Sequence, residues 1–96
     1  MKIIISDDAM NWFKEEMETK KGEHIRFYAR YGGSSSLHAG FSLGVTKEEP
    51  MEISVEQIED DIHFYIEEHD EWYFDGHDLH VDIEPELKEL TYSYKK

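Results

Sequence analysis

"IRFYARYGGSSSLHAGFSLGV", residues 25–45, is the stretch that decides how this chain folds. Before the glycine pair, Ile25, Phe27, Ala29 and Tyr31 fall on one face at a period of two. His24, Arg26, Tyr28 and Arg30 fall on the other face. After the serines, Phe41, Leu43 and Val45 resume the alternation. Two strands joined by Gly32, Gly33, Ser34, Ser35 and Ser36 therefore read as a hairpin with a flexible Gly/Ser connection.

Upstream, "KIII" (residues 2–5) is a short β-prone start. Ser6 then suits a helix N-cap, with Asp7 and Asp8 set against the positive end of the dipole. Ala9, Phe13 and Met17 recur at four-residue spacing, and Met10 and Trp12 widen the apolar stripe. Lys20 and Lys21 suit the last turn and Gly22 the position beyond it, which predicts a helix running to about residue 21. Downstream, Pro50 closes the second hairpin strand, because it cannot donate to a ladder. Further strands are predicted at residues 53–57, 62–66 and 79–83, and around Leu90, Tyr92 and Tyr94. Between them "EEHDEWYFDG" reads as a short helical turn, capped by Asp70 and closed at Gly76, in preference to a strand over Trp72, Tyr73 and Phe74. Core packing of Trp72 and Phe74 is preferred to an exposed aromatic binding patch. The expected fold class is β-rich α+β, one domain over residues 1–96, with a single N-terminal helix.

A chain of 96 residues builds only a modest core, which its aromatic residues, 14% of the total, fill efficiently. Its 23 acids against 10 bases give a net charge of -13. Such a field repels phosphate backbones and anionic lipid surfaces, so nucleic acid and membranes are poor partners, while a protein with a basic face is a suitable one. There is no cysteine, which removes disulfides, zinc–thiolate sites and thiol catalysis. "MKIIISDD" carries no secretory apolar region, and a cytoplasmic location is the expectation.

Three constellations could carry chemistry. Residues 32–36 lack the lysine and the following helix of a phosphate-binding loop, and a plain hairpin connection is the better reading. Ser34, Ser35 or Ser36 with His38 would be half of a catalytic triad, but no G-x-S-x-G elbow is present. "GHDLHVD", residues 76–82, is the third. On a strand, Asp78, His80 and Asp82 share a face, with His77 on the other, and His63, His69 and Asp70 are candidates to add a ligand from a neighbouring strand. Imidazole and carboxylate together suit iron, zinc or manganese as divalent ions. A solvated acidic strand face is the competing reading, since such residues are mostly exposed.

The order of these segments is similar to a known family. "ISDDAMNWFKEEM", "IRFYARYGG", the serine run, "FSLGV" and "WYFDGHDLHVDI" together resemble the HesB-like domain of A-type iron–sulfur cluster carriers, and in particular its small YneR-like branch. The resemblance implies a half-barrel of mixed β-sheets with the helix packed against it, an ancestry in iron–sulfur cluster assembly, and a homo-oligomeric habit. It also implies a ligand cysteine in the loop after the basic strand, which falls at Ser34 here, and a C-terminal Cys-Gly-Cys pair that this cysteine-free chain cannot supply. Clusters need soft thiolates, and a serine hydroxyl is a hard, protonated group. Residues 32–36 are thus the family's ligand loop in degenerate form, and no cysteine-ligated cluster is expected. The resulting expectation is a non-catalytic accessory protein of iron–sulfur or iron metabolism acting through a protein partner. A histidine/carboxylate divalent-metal binder is the alternative, and a small-molecule enzyme comes last, for want of a cofactor motif or nucleophile–base pair.

Overall fold

A computed structural model describes all of residues 1–96. In chain order the elements are β1 (Ile3–Ile5), α1 (Asp7–Glu16), β2 (His24–Ser34), β3 (Ala39–Lys47), β4 (Ile53–Glu59), β5 (Ile62–Glu67), a 3-10 turn (Glu68–Phe74), β6 (Asp78–Glu84) and β7 (Glu89–Lys95). They form two mixed sheets, β1-β6-β7 and β3-β2-β5-β4, which do not close into a barrel. β1 runs parallel to β6, and β2 runs parallel to β5; the remaining pairings are antiparallel. The β-rich α+β class and the half-barrel of mixed sheets with its N-terminal helix are both present.

The core lies between the two sheets, under the helix. Ile3 and Ile5 of β1, Leu79 and Val81 of β6, Ile25 and Phe27 of β2, and Ile62, Phe64 and Ile66 of β5 all turn inward and are buried. α1 presents Ala9, Met10 and Phe13 to them. Phe13 is the keystone: its ring stands edge-on to Phe64 at 5.1 Å and to Phe27 at 6.2 Å. Phe27 in turn meets Tyr92 of the other sheet at 6.3 Å. One ring on the helix thereby fastens to the four-stranded sheet, which Phe27 links to the three-stranded one.

The helix begins as its sequence dictates. Ser6 is extended, and its Oγ accepts from the Ala9 N–H at 3.1 Å. It ends earlier than the lysines imply, at Glu16 with Met17 as C-cap. Glu18 takes a left-handed conformation, and the Thr19 N–H turns back to the Phe13 carbonyl. Lys20 and Lys21 lie beyond the helix, because the Gly22 N–H is claimed by the Asp61 carbonyl of the β4–β5 turn.

Two other expectations change. Residues 32–34 belong to β2 and are not loop; they form a bulge between the Tyr31 and Ser34 pairs, with Gly32 and Gly33 both at positive φ. Asp70 does not cap the 3-10 turn, whose N-cap is Glu67. It is instead a buried ion-pair partner, and Trp72, expected in the core, is 51% exposed. Phe74 is buried as expected.

Candidate functional site

The β2–β3 connection is stiff. Ser35 Oγ accepts from the backbone N–H of Leu37 and of His38, and the Ser35 N–H donates to the His38 carbonyl at 3.0 Å. His38 Nε2 donates to the Tyr73 carbonyl at 2.9 Å, which pins the hairpin tip to the 3-10 turn. Carrying the proton for that bond, Nε2 does not serve as a base for a serine. The bulge below is held by Ser42, whose Oγ donates to the Gly32 carbonyl and accepts from Arg30 Nε. Ser34 and Ser36 are left exposed.

Around this tip Tyr31 and Trp72 are exposed, with Phe41 half-buried between them against the core. Tyr31, 86% exposed, stands edge-on to Phe41 at 5.5 Å, and Phe41 stands edge-on to Trp72 at 5.2 Å. His38 lies 5.3 Å from both Trp72 and Tyr73. The result is a ridge of Tyr31, Phe41, Trp72 and His38 at one end of the molecule. Tyr31 and Trp72 are thus exposed large aromatic residues grouped beside a hydrogen-bonded turn.

The 3-10 turn that carries Trp72 is anchored by Arg26. Its Nη1 donates to Glu48 Oε2 at 2.7 Å, and its Nη2 to Asp70 Oδ2 at 2.8 Å and His69 Nε2 at 2.9 Å. Since Arg26 only donates, His69 Nε2 is an acceptor and is not free to ligate. Desolvation opposes the Arg26 charge, yet the Asp70 and Glu48 hydrogen bonds outweigh it and hold the guanidinium above its usual range. On the same sheet face Glu67 is buried. Burial pushes its carboxyl up, but the N–H groups of Glu52 and Met51 prevail, and it lies below the usual carboxylate range. Tyr65, desolvated beside Glu67, is pushed up to about 12 while donating to the Glu48 carbonyl.

The residues of "GHDLHVD" are spread along β6 and fasten the fold. Asp78 Oδ1 accepts from the Lys2 N–H at 2.8 Å. Asp82 Oδ1 accepts from Ser6 Oγ and from the Ile83 N–H, both at 2.8 Å, which keeps its carboxyl below the ordinary range. These two acids staple β1 to β6 at either end. His77 precedes the strand, and its Nδ1 donates to the carbonyls of Phe74 and Asp75. His80 is half-buried between Ile4 of β1 and Ser93 of β7. The geometry does not gather His77, Asp78, His80, Asp82 and His69 into one ligand set. The group of ligating side chains that does converge is His24, Glu56 and His63, on β2, β4 and β5. Of these only His63 stands out in the sequence. Its neighbours come from strand pairings that no local spacing encodes.

The chain matches a family described as iron-sulphur cluster biosynthesis over residues 1–93. A protein of Bacillus subtilis named "Pyruvate dehydrogenase inhibitor" is 46% identical over 95 residues, which cover 99% of this chain and 100% of that protein. Uncharacterised proteins of Staphylococcus saprophyticus and Staphylococcus aureus are 40% and 38% identical over 98 residues, covering 99% of this chain and the whole of each relative. No solved structure matches the chain. No helix is long and apolar enough to cross a membrane.

Proposed function

This chain belongs to the iron-sulphur cluster biosynthesis family, and from that premise we propose that it works by binding a protein rather than a cluster. Its partner is pyruvate dehydrogenase, whose activity it holds down without catalysis of its own. Having no cysteine, it cannot hold a cysteine-ligated cluster. The observation that carries the reading is the aromatic ridge of Tyr31, Phe41 and Trp72 beside Ser34, where the family's loop ligand would stand. Tyrosine and tryptophan dominate interface energetics, and a pre-formed turn loses little entropy on docking. The identity to the Bacillus subtilis protein over its full length supports the choice of enzyme. The acidic remainder of the surface favours a basic rim on the partner and speeds encounter more than it tightens the complex.

The test is to titrate purified pyruvate dehydrogenase complex with this chain and follow NADH formation. Saturable inhibition is expected, and the Tyr31→Ala, Trp72→Ala double variant shifts the half-inhibitory concentration upward by at least about tenfold. Undiminished activity in large molar excess of the chain overturns the proposal. A role beside iron–sulfur assembly, through a protein partner, is the second reading, favoured by the family match over residues 1–93. It requires binding to an assembly protein through the same ridge, with pyruvate dehydrogenase unaffected.

A further inference from the structure

The start of β2 and the β4–β5 hairpin bring together three metal-ligating side chains that are far apart in sequence. The parallel register of β2 and β5 sets His24 directly beside His63, with ring centroids 4.6 Å apart and planes 34° from parallel. The hairpin sets Ile58 opposite His63 and Glu56 opposite Tyr65, so Glu56 lies diagonal to His63 on the same face. Glu56 Oε2 is 3.2 Å from His63 Nδ1. One ligand atom from each of the three lies within 4.8 Å of the other two. The hairpin is held by a tight turn in which Asp60 and Asp61 both have positive φ, and such a turn fixes the register.

We infer that His24, Glu56 and His63 form a binding site for one divalent transition-metal ion of the zinc class. Two imidazoles and one carboxylate are a common donor set for zinc and for ferrous iron. A tetrahedral zinc with bonds of about 2.0–2.1 Å places its donors about 3.3 Å apart, and the Glu56 Oε2–His63 Nδ1 pair already lies at 3.2 Å. His24 Nδ1 is buried without a hydrogen-bond partner, an unmet polar atom beside the cluster. Glu49 Oε2, on a well exposed side chain, stands 3.7 Å from that nitrogen and is placed to supply a fourth ligand. The three ligand side chains are between 20% and 30% exposed, open to an entering ion yet seated on strands. The net charge of -13 favours cation approach. The site is separate from the aromatic ridge: Tyr31 is seven residues along β2 from His24, roughly 23 Å at about 3.3 Å per residue.

The experiment is equilibrium dialysis of the full chain against zinc chloride at neutral pH, with bound metal read by elemental analysis. One equivalent is expected. Glu56→Gln, which keeps the shape of the side chain, should weaken binding by at least about tenfold, the cost typical even of groups that merely support a ligand. The His24→Ala, His63→Ala double variant should lose stoichiometric uptake, while His77→Ala with His80→Ala retains it. X-ray absorption of the zinc-loaded native chain should show two imidazole ligands, which decides the matter should the double variant fail to fold. Less than stoichiometric uptake by the native chain overturns the inference, as does a zinc shell without imidazole, or one equivalent retained by folded His24→Ala, His63→Ala protein.

Discussion

The hairpin tip at residues 32–38 and the strip at residues 76–82 look like opposites in sequence, and the structure reverses their roles. The strip has histidines and carboxylates at strand spacing, the vocabulary of a metal site, yet its acids are spent on Lys2, Ser6 and the Ile83 N–H, holding β1 to β6. The tip is mostly glycine and serine, yet it is tied down by Ser35 and His38 and borders the exposed ridge. Chemical richness in a short window therefore says less about function than what each side chain is already bonded to. An acid that accepts from a backbone donor is a structural part, and an aromatic ring without cover is an available surface.

The sharpest way to break that comparison is at Arg26, which supports the ridge from below. Arg26→Ala leaves Asp70, 4% exposed, without its cation. Breaking a pair with so buried a partner costs about 3–5 kcal/mol. Urea unfolding should report a loss of that size, and inhibition should fall with it because Trp72 is no longer held. Next in size is the ridge itself. Tyr31→Ala and Trp72→Ala should each cost about 2 kcal/mol of binding, the scale of an interface hot spot. Tyr31→Ala, at an 86% exposed position, should change stability by less than about 0.5 kcal/mol. Calorimetry on native and variant chains separates the two quantities. Smaller again is Gly32→Ala, which places a Cβ at φ +114 and should cost about 1–2 kcal/mol in thermal unfolding.

The smallest effects lie in the acids and appear with pH. Glu67 and Asp82 both have folded values below the ordinary carboxylate range. The stability they contribute is present above that range and is lost as pH falls through their lowered folded values. Glu67→Gln should flatten the acid limb of a stability–pH profile, and an unchanged limb would contradict the bonding assigned to it. Asp78→Asn with Asp82→Asn should lower the unfolding temperature modestly and leave zinc uptake intact.

Much of the fold is legible because it is written in short-range pattern. Alternation at Ile25, Phe27 and Ala29, the Ser6 cap and the Phe41, Leu43 and Val45 run all appear where their spacing puts them. What the sequence hides depends on non-local pairing. The helix stops at Glu16 because the following turn binds the β4–β5 hairpin, which the lysine placement does not encode. Asp70 looks like a cap until Arg26 of β2 arrives beside it, and Trp72 looks like core until the sheet behind it is already filled by Tyr73 and Phe74. The His24, Glu56 and His63 cluster is hidden for the same reason, since two inter-strand registers are needed to assemble it.

The most direct test of the binding account is a calorimetric titration of pyruvate dehydrogenase with the native chain and with the Tyr31→Ala, Trp72→Ala variant, both checked for native unfolding temperature. Saturable binding by the native chain, weakened at least about tenfold in a variant that remains folded, is the predicted result. Equal binding by both chains, or binding by neither, would contradict it.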